Sequence, residues 1–333
     1  MSYDGKVLRR AAARYDEDKQ RRAELFRARQ RACYAKAPRL EEIDRELSHT
    51  MAKIIASGLR RGADPRSAIA ALREENLALQ RERGELLVSL GFEAGYLSPE
   101  PNCRKCGDTG WVGSELCPCL RAYYVREQNA ELSRMLDLAG QSFETFDFDY
   151  YSRERAFEQN MSPYQRMEKN FDACRDYAYE FSPRSGNLLL SGDPGLGKTF
   201  LSASIARVVS DAGHSVVYDT AGHVFSRFEA QKFDRGGEGD EAEDDVARYL
   251  KCDLLILDDL GTEMTTALVQ SALYQIVNTR LMTGRKTVIS TNLSPSELGA
   301  RYGAAILSRL EGEYRILPFF GDDIRRLKSK KGQ

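Results

Sequence analysis

The octapeptide GDPGLGKT at residues 192–199 limits what this 333-residue chain can fold into more than any other stretch. It fits G-x-x-x-x-G-K-[ST], follows the apolar run NLLLSG and opens a helical pattern, the strand–loop–helix context that the signature needs. Gly192, Gly195 and Gly197 let the backbone curl so that successive N–H groups face phosphate oxygens, and the helix N-terminus adds partial positive charge. The run Gly192, Asp193, Pro194, Gly195, Leu196, Gly197, Lys198, Thr199 and Phe200 is thus expected to wrap a nucleotide. Lys198 would reach the β- and γ-phosphates, and the Thr199 hydroxyl would ligate Mg²⁺.

Such a loop binds without hydrolysing unless acids face the phosphates. LLILDD supplies them, with four apolar residues delivering Asp258 to the C-terminal edge of the sheet as a second Mg²⁺ ligand. Asp259 is then placed to orient or polarise the attacking water. Two adjacent carboxylates ending a buried strand repel each other and are costly to desolvate unless a cation compensates. KTVIST leads to Asn292, an amide suited to the γ-phosphate or the water, and Arg301, Arg309, Arg325 and Arg326 are candidates to meet charge on the transferring phosphoryl group. NLLLSG, SVVYDT, CDLLILDD, KTVIST and YRILPFF alternate with helical patterns, which argues for an α/β fold with a parallel sheet covered on both faces. FDRGGEGDEAEDD holds seven acids in residues 234–245 and reads as a mobile surface loop.

CRKCGDTGWVGSELCPC, residues 103–119, contains four of the seven cysteines, spaced C-x₂-C-x₁₀-C-x-C. No apolar run reaches the ~20 residues of a membrane span, and MSYDGKVLRRAAARYDEDK lacks the apolar core of a secretion signal. The expected setting is therefore cytoplasmic, with no membrane partner, and there clustered cysteines are metal ligands more often than disulfides. Cys103, Cys106, Cys117 and Cys119 can converge on Zn²⁺, with an iron–sulfur cluster or a redox pair as alternatives. Four thiolates leave no open position, so the site would be structural. Cys33, Cys174 and Cys252 read as buried neutral residues.

The sequence divides into a charged helical region at 1–97, the cysteine module at 98–125, a linker at 126–159, an ATPase domain at 160–328 and a basic tail at 329–333. Leu40, Ile43, Leu47, Met51 and Ile54 form one apolar stripe. Asp64 and Pro65 open the next helix, which carries Ile69, Leu72, Leu79, Leu86 and Leu90, is interrupted by Asn76 and Arg83, and ends at Gly91. A helical hairpin or short coiled coil follows from this. Residues 1–36 hold eleven Lys/Arg against five Asp/Glu, within a chain of net charge −1; the excess is either a solvated face or a docking surface. In the linker, FETFDFDYY alternates Phe143, Phe146, Phe148 and Tyr150, which either clamp the next domain or stack on bases.

Taken in order, the four-cysteine module, FETFDFDYY, GDPGLGKT, LLILDDLGTE, STNLS, SRL and FFGDDIR resemble the bacterial replicative helicase loaders of the DnaC/DnaI type. More broadly they are similar to the AAA+ ATPases that include the IstB-type transposition helpers. The match covers roughly residues 98–328. It implies an AAA+ fold with a five-stranded parallel sheet in the order 5-1-4-3-2, ATP with Mg²⁺ as the nucleotide, and self-association through the ATPase domain. It also implies Lys198 and Thr199 as the phosphate-loop pair, Asp258 and Asp259 as the second-strand acids and Asn292 as the first sensor. Arg309 becomes the arginine finger given to a neighbouring subunit, and Arg325 the second sensor. Most of the family has Glu where this chain has Asp259, which would slow hydrolysis, and the usual helical lid is short here. The implied function is ATP-dependent loading of a hexameric replicative helicase, gripped by the N-terminal region, onto single-stranded DNA bound by the ATPase domain, for which basic residues near Arg285 and Lys286 and in the C-terminal tail are candidates. A transposition helper that coats target DNA and a weakly hydrolysing nucleotide-switched adaptor are the alternatives.

Overall fold

The computed structural model describes residues 3–58, 65–136, 140–154, 160–233 and 239–331. The chain separates into two compact units, one of residues 13–119 and one that joins the residues up to Ala12 with Leu120 onward. Helix α1 spans Gly5–Lys36, and α2 (Pro38–Gly58) and α3 (Pro65–Ser89) follow. Within the 13–119 unit, Arg39 near the start of α2 pairs with Glu82 near the end of α3, so the two helices run antiparallel. Of the expected stripes, Leu40, Ile43 and Leu79 are buried, and they are joined by Leu87, which lies off the heptad pattern. Arg83, which interrupts the stripe, is satisfied rather than solvated: its Nε donates to Asp44 Oδ1 at 2.6 Å and its Nη2 to Leu97 O at 2.8 Å. The helix start expected at Asp64 lies outside the described residues. A small antiparallel hairpin, β1 (Trp111–Val112) and β2 (Glu115–Leu116), carries the cysteine module, and α4 (Pro118–Met135) follows it.

The second unit is built on a five-stranded sheet of β3 (Asn187–Gly192), β4 (Val216–Thr220), β5 (Leu254–Leu260), β6 (Lys286–Thr291) and β7 (Tyr314–Phe319). Every pairing is parallel, and the spatial order is β4-β5-β6-β3-β7, which is the expected 5-1-4-3-2 order with β3 counted as the first strand. The strands lack polar alternation because both faces are covered. Leu188, Leu190, Ile256 and Val288 face α5 (Pro163–Tyr179) and α6 (Lys198–Asp211) in one cluster with Met167, Leu201 and Ile205. Leu189, Leu255, Leu257 and Ile289 face the opposite side, with Phe225 of α7 (Ala221–Phe233), Leu273 and Ile276 of α9 (Ala267–Met282), Leu298 of α10 (Pro295–Tyr302) and Leu310 of α11 (Ala304–Glu313). Helices α5 and α10 begin on capping boxes, Ser162 with Gln165 and Ser294 with Glu297, each with proline at the first turn.

Two sequence expectations change here. The described part of the acid-rich stretch is helical: α8 (Gly239–Lys251) begins inside it, and Ala242 and Val246 are buried on one face while Asp245 accepts ion pairs from Lys6 and Arg227. The acids occupy the first turns of that helix, where carboxylates oppose the helix dipole favourably. Arg285 is not a free cation either, because its guanidinium is paired with Asp253. After β7 the chain adds one eight-residue helix, α12 (Ile324–Lys331). No helix among the described residues is long and apolar enough to cross a membrane.

Candidate nucleotide site and cysteine cluster

At the C-terminal edge of the sheet the chain leaves β3, turns through Asp193–Gly197 and enters α6. Gly195 (φ +78°) and Gly197 (φ +93°) adopt the left-handed conformation that side chains resist. A Cβ at Gly197 would stand 2.6 Å from the Tyr151 hydroxyl, and one at Gly195 would stand 2.0 Å from Asp323 Oδ1. The loop is thus held from two sides. Tyr151 donates its hydroxyl to Leu196 O at 3.1 Å, and Ile324 N, at the start of α12, donates to Gly195 O at 2.9 Å. Lys198 is buried, and its ammonium caps the carbonyls of Gly192 and, at 2.8 Å, Asp193. Burial pulls the Lys198 pKa down, against the attraction of Asp259, Asp258 and Asp193.

The two aspartates are separated by a β-bulge. Leu257 pairs with Ile289 and Leu260 with Thr291, so β5 spends one more residue than β6 over this interval. Asp259 takes φ +54° there, uncommon for a non-glycine residue. The kink sends the two carboxylates to different places. Asp258 is buried in a collar of hydroxyls: Tyr218 donates to Oδ2 at 2.6 Å, Thr199 donates to the same oxygen at 3.1 Å, and Ser290 donates to Oδ1. Ser290 Oγ in turn accepts the Asp259 amide at 2.9 Å. The Asp259 side chain lines a cavity that is open to solvent; partial desolvation there and the Asp258 charge raise its pKa above the usual carboxylate value, while Lys198 and Arg325 oppose the rise. Tyr218 and Ser290 carried no signal in the sequence, since a tyrosine in SVVYDT and a serine in KTVIST read as ordinary strand residues.

That cavity, about 340 Å³, is lined by Pro194, Gly195, Gly197, Lys198, Thr199, Phe200, Asp259, Asn292 and Arg325. Of the remaining residues of the expected set, Leu196 turns into the core, Asp258 sits behind Thr199, and Gly192 and Asp193 meet Lys198 through their carbonyls. Arg309 lies elsewhere, on α11, where its guanidinium stacks over Tyr274 at 4.6 Å and bonds Asn278. The opposite wall of the cavity was not legible in the sequence: it comes from the aromatic connector, with Gln141, Thr145, Phe146, Tyr150 and Tyr151, and from Lys328 of α12. Phe143, Phe146 and Phe148 pack around Phe171 of α5, and Phe146 also meets Phe200 of α6. The connector therefore clamps the sheet unit and walls the cavity together.

The four clustered cysteines meet as their spacing predicts. Their Sγ atoms all lie within 4.8 Å of one another, with Cys103 and Cys117 3.6 Å apart and Cys106 and Cys119 3.5 Å apart. Those separations are too long for disulfides and close to the ~3.8 Å edge of a thiolate tetrahedron around Zn²⁺ with bonds of ~2.3 Å. Turns hold the sulfurs in place: Gly107 N donates to Cys103 O, Cys117 N donates to Gly110 O, and the Asp108 carboxylate accepts the amides of Asn102 and Cys103. The Tyr15 hydroxyl reaches Cys119 Sγ at 3.5 Å. This donor set fits a structural metal ion. Cys33, Cys174 and Cys252 are buried and separate from it.

The E. coli K12 uncharacterized protein YdaV is 32% identical over 137 residues, 41% of this chain and 54% of YdaV. A replicative helicase loader DnaC from Buchnera aphidicola subsp. Baizongia pistaciae is 26% identical over 173 residues, 51% of this chain and 69% of that protein. The E. coli K12 DnaC is 26% identical over 137 residues, 41% of this chain and 55% of its own length, so the chain spans about half of two of these three relatives. The crystal structure of the DnaC helicase loader superimposes with a TM-score of 0.43 at 19% identity, covering 54% of this chain and 98% of that one. The model of the IstB-like ATP binding protein family matches residues 134–332, the sheet unit with its connector, and the chain is a member of that family.

Proposed function

We propose that the chain is an ATPase that loads a hexameric replicative helicase onto single-stranded DNA, with ATP binding and hydrolysis governing how copies of the chain hold one another and the helicase. The observation that carries the reading is the single cavity that collects Lys198, Thr199, Asp259, Asn292 and Arg325, with Asp258 bonded to Thr199 behind it. In this reading the loop amides and Lys198 bind the phosphates, while Thr199 and Asp258 hold Mg²⁺, whose charge would neutralise that of the phosphate oxygens. Asp259 orients the attacking water, Asn292 senses the γ-phosphate from β6, and Arg325 approaches it from α12. Arg309, outside the cavity of its own chain, acts on the nucleotide of a neighbouring copy. Zn²⁺ on Cys103, Cys106, Cys117 and Cys119 stabilises the hairpin. The N-terminal helices are the docking region for the helicase, and basic side chains of the sheet unit, α12 included, meet the DNA backbone. The relatives named as helicase loaders support the choice of partner, whereas the family description alone also accommodates a transposition helper.

The test is phosphate release by the full chain, alone and with single-stranded DNA and the host's replicative helicase, together with co-purification of that helicase. Stimulation by DNA, and helicase recovery that depends on ATP and is lost in Lys198→Ala, is the expected result. Indifference of turnover and assembly to both partners overturns the proposal, and recovery of a transposase in place of the helicase favours the transposition helper.

A further inference from the structure

We infer that helix α1 belongs to the metal centre: the Tyr15 hydroxyl donates to the metal-bound Cys119 thiolate, and with Lys19 and Arg22 it forms the face of α1 that seats on the cysteine module. Binding of the metal and seating of this stretch of helix are then one equilibrium. The inference rests on the four cysteines holding Zn²⁺ and is independent of the nucleotide site.

Between Ala11 and Cys33 every residue of α1 is exposed or half-buried except Tyr15, which is 5% exposed. A lone tyrosine buried in the middle of a charged helix needs a cover. Its hydroxyl lies 3.5 Å from Cys119 Sγ, so the cysteine module provides that cover. Lys19 and Arg22 follow one and two turns later, at the i, i+4, i+7 spacing of a single helix face. Lys19 Nζ donates to Asp108 O at 3.1 Å, and the Lys19 and Arg22 charges both attract the Asp108 carboxylate. That carboxylate in turn accepts the Cys103 amide at 2.8 Å, so this second contact also ends on a metal ligand.

The chemistry of the cluster explains why a donor and two cations gather here. Four thiolates around one Zn²⁺ leave about two negative charges in excess. A metal-bound thiolate has no proton to give, so the phenol is the donor in its contact with Cys119. Hydrogen bonds to charged acceptors are the strong ones, and a group that bonds a metal ligand fixes its orientation and tunes its basicity. In the metal-free chain a thiol is only a weak acceptor, and α1 loses the contact that seats it.

Hydrogen exchange of the full chain, with Zn²⁺ bound and after its removal by chelator, tests the coupling without any variant. Amides of α1 in the range 13–25 should lose protection when the metal is removed. Tyr15→Phe keeps the ring in place and removes only the hydroxyl; competition with a chelator should show Zn²⁺ held about 10–100-fold more weakly. Replacing the metal with Co²⁺ adds a signature that a merely packed tyrosine would not move. In Tyr15→Phe the sulfur-to-metal charge-transfer band should shift to longer wavelength, because a thiolate without its hydrogen bond gives up electron density more easily. Either an unchanged affinity or an unchanged Co²⁺ band in Tyr15→Phe overturns the inference, as does an α1 whose exchange ignores the metal. A chain that holds neither Zn²⁺ nor Co²⁺ overturns the metal reading of the cysteines itself.

Discussion

Stripping metal from the cysteine cluster should unfold the β1–β2 hairpin and leave nucleotide binding intact. The segment Cys103–Cys119 has 17 residues, of which Leu116 and Cys117 are the buried apolar side chains. Burying one leucine contributes roughly 2–3 kcal/mol. The segment's hydrogen bonds, among them those from Gly107 N to Cys103 O, Thr109 N to Cys106 O, Cys117 N to Gly110 O and two amides to Asp108, add about 1 kcal/mol each. Fixing the backbone costs at least about 17 kcal/mol at the lower bound of ~1 kcal/mol per residue. The shortfall of several kcal/mol is within what the ~10–16 kcal/mol of thiolate-bound Zn²⁺ supplies to small folds. Trp111, the only tryptophan in the chain, sits on β1 inside this segment and is a built-in reporter. Purified protein should contain about one zinc per chain. Added chelator should release the metal and shift the Trp111 emission, while the affinity for ATP stays within about twofold, because the cavity draws no residue from 103–119. A chain without metal whose Trp111 emission matches that of untreated protein would refute the energetic argument.

Other outcomes follow from the same geometry. Lys198→Ala should reduce ATP affinity at least about tenfold, and Asp259→Asn should keep binding but lower turnover by about 10²–10⁴, both read by titration and phosphate release. Because the Asp259 pKa is raised in the folded chain, its contribution to stability is present below the ordinary carboxylate pKa and is lost as pH rises through the shifted one. Asp259→Asn should therefore be more resistant to denaturant than the parent at neutral pH without nucleotide, and the difference should vanish in acid; an unchanged difference across pH would contradict the assignment. Gly197→Ala should cost about 1–2 kcal/mol for the left-handed backbone plus the clash with the Tyr151 hydroxyl. Tyr151→Phe removes that hydroxyl along with a hydrogen bond of about 1 kcal/mol. The double variant should be less destabilised than the sum by about 1 kcal/mol, measured by hydrogen exchange of β3, whereas additivity within about 0.5 kcal/mol would argue that the two groups do not meet.

Legibility in the sequence tracked how local each constraint was. The phosphate loop, the five strands and the cysteine spacing are encoded within a few residues, by glycine positions, apolar runs and C-x₂-C geometry. Asp258 and Asp259 could be placed at a strand end, but the bulge that parts them arises from pairing with β6 and has no mark in LLILDD itself. Tyr218 and Ser290 become partners of Asp258 only because β4 and β6 flank β5. FETFDFDYY could be read as clamp or stacking surface, and its second role as a cavity wall depends on where α6 and α12 bring their side chains. In the acid-rich segment charge density masks the helix, although Ala242, Val246 and Tyr249 recur at helical spacing. Arg285 looked available until the tertiary fold set Asp253 beside it.

The first residues of the chain carry a practical lesson for mapping interactions. Val7 and Ala11 share a buried cluster with Tyr124, the Asp4 amide donates to the Tyr124 hydroxyl at 2.9 Å, and the Asp4 carboxylate pairs with Arg248. An N-terminal truncation meant to delete a docking region would also bare Tyr124 and strand Arg248 without that counter-charge. Lost binding in such a deletion could then arise from a wounded ATPase rather than from a missing contact. Point changes on the exposed faces of α2 and α3, which leave Asp4 and Val7 in place, separate the two causes.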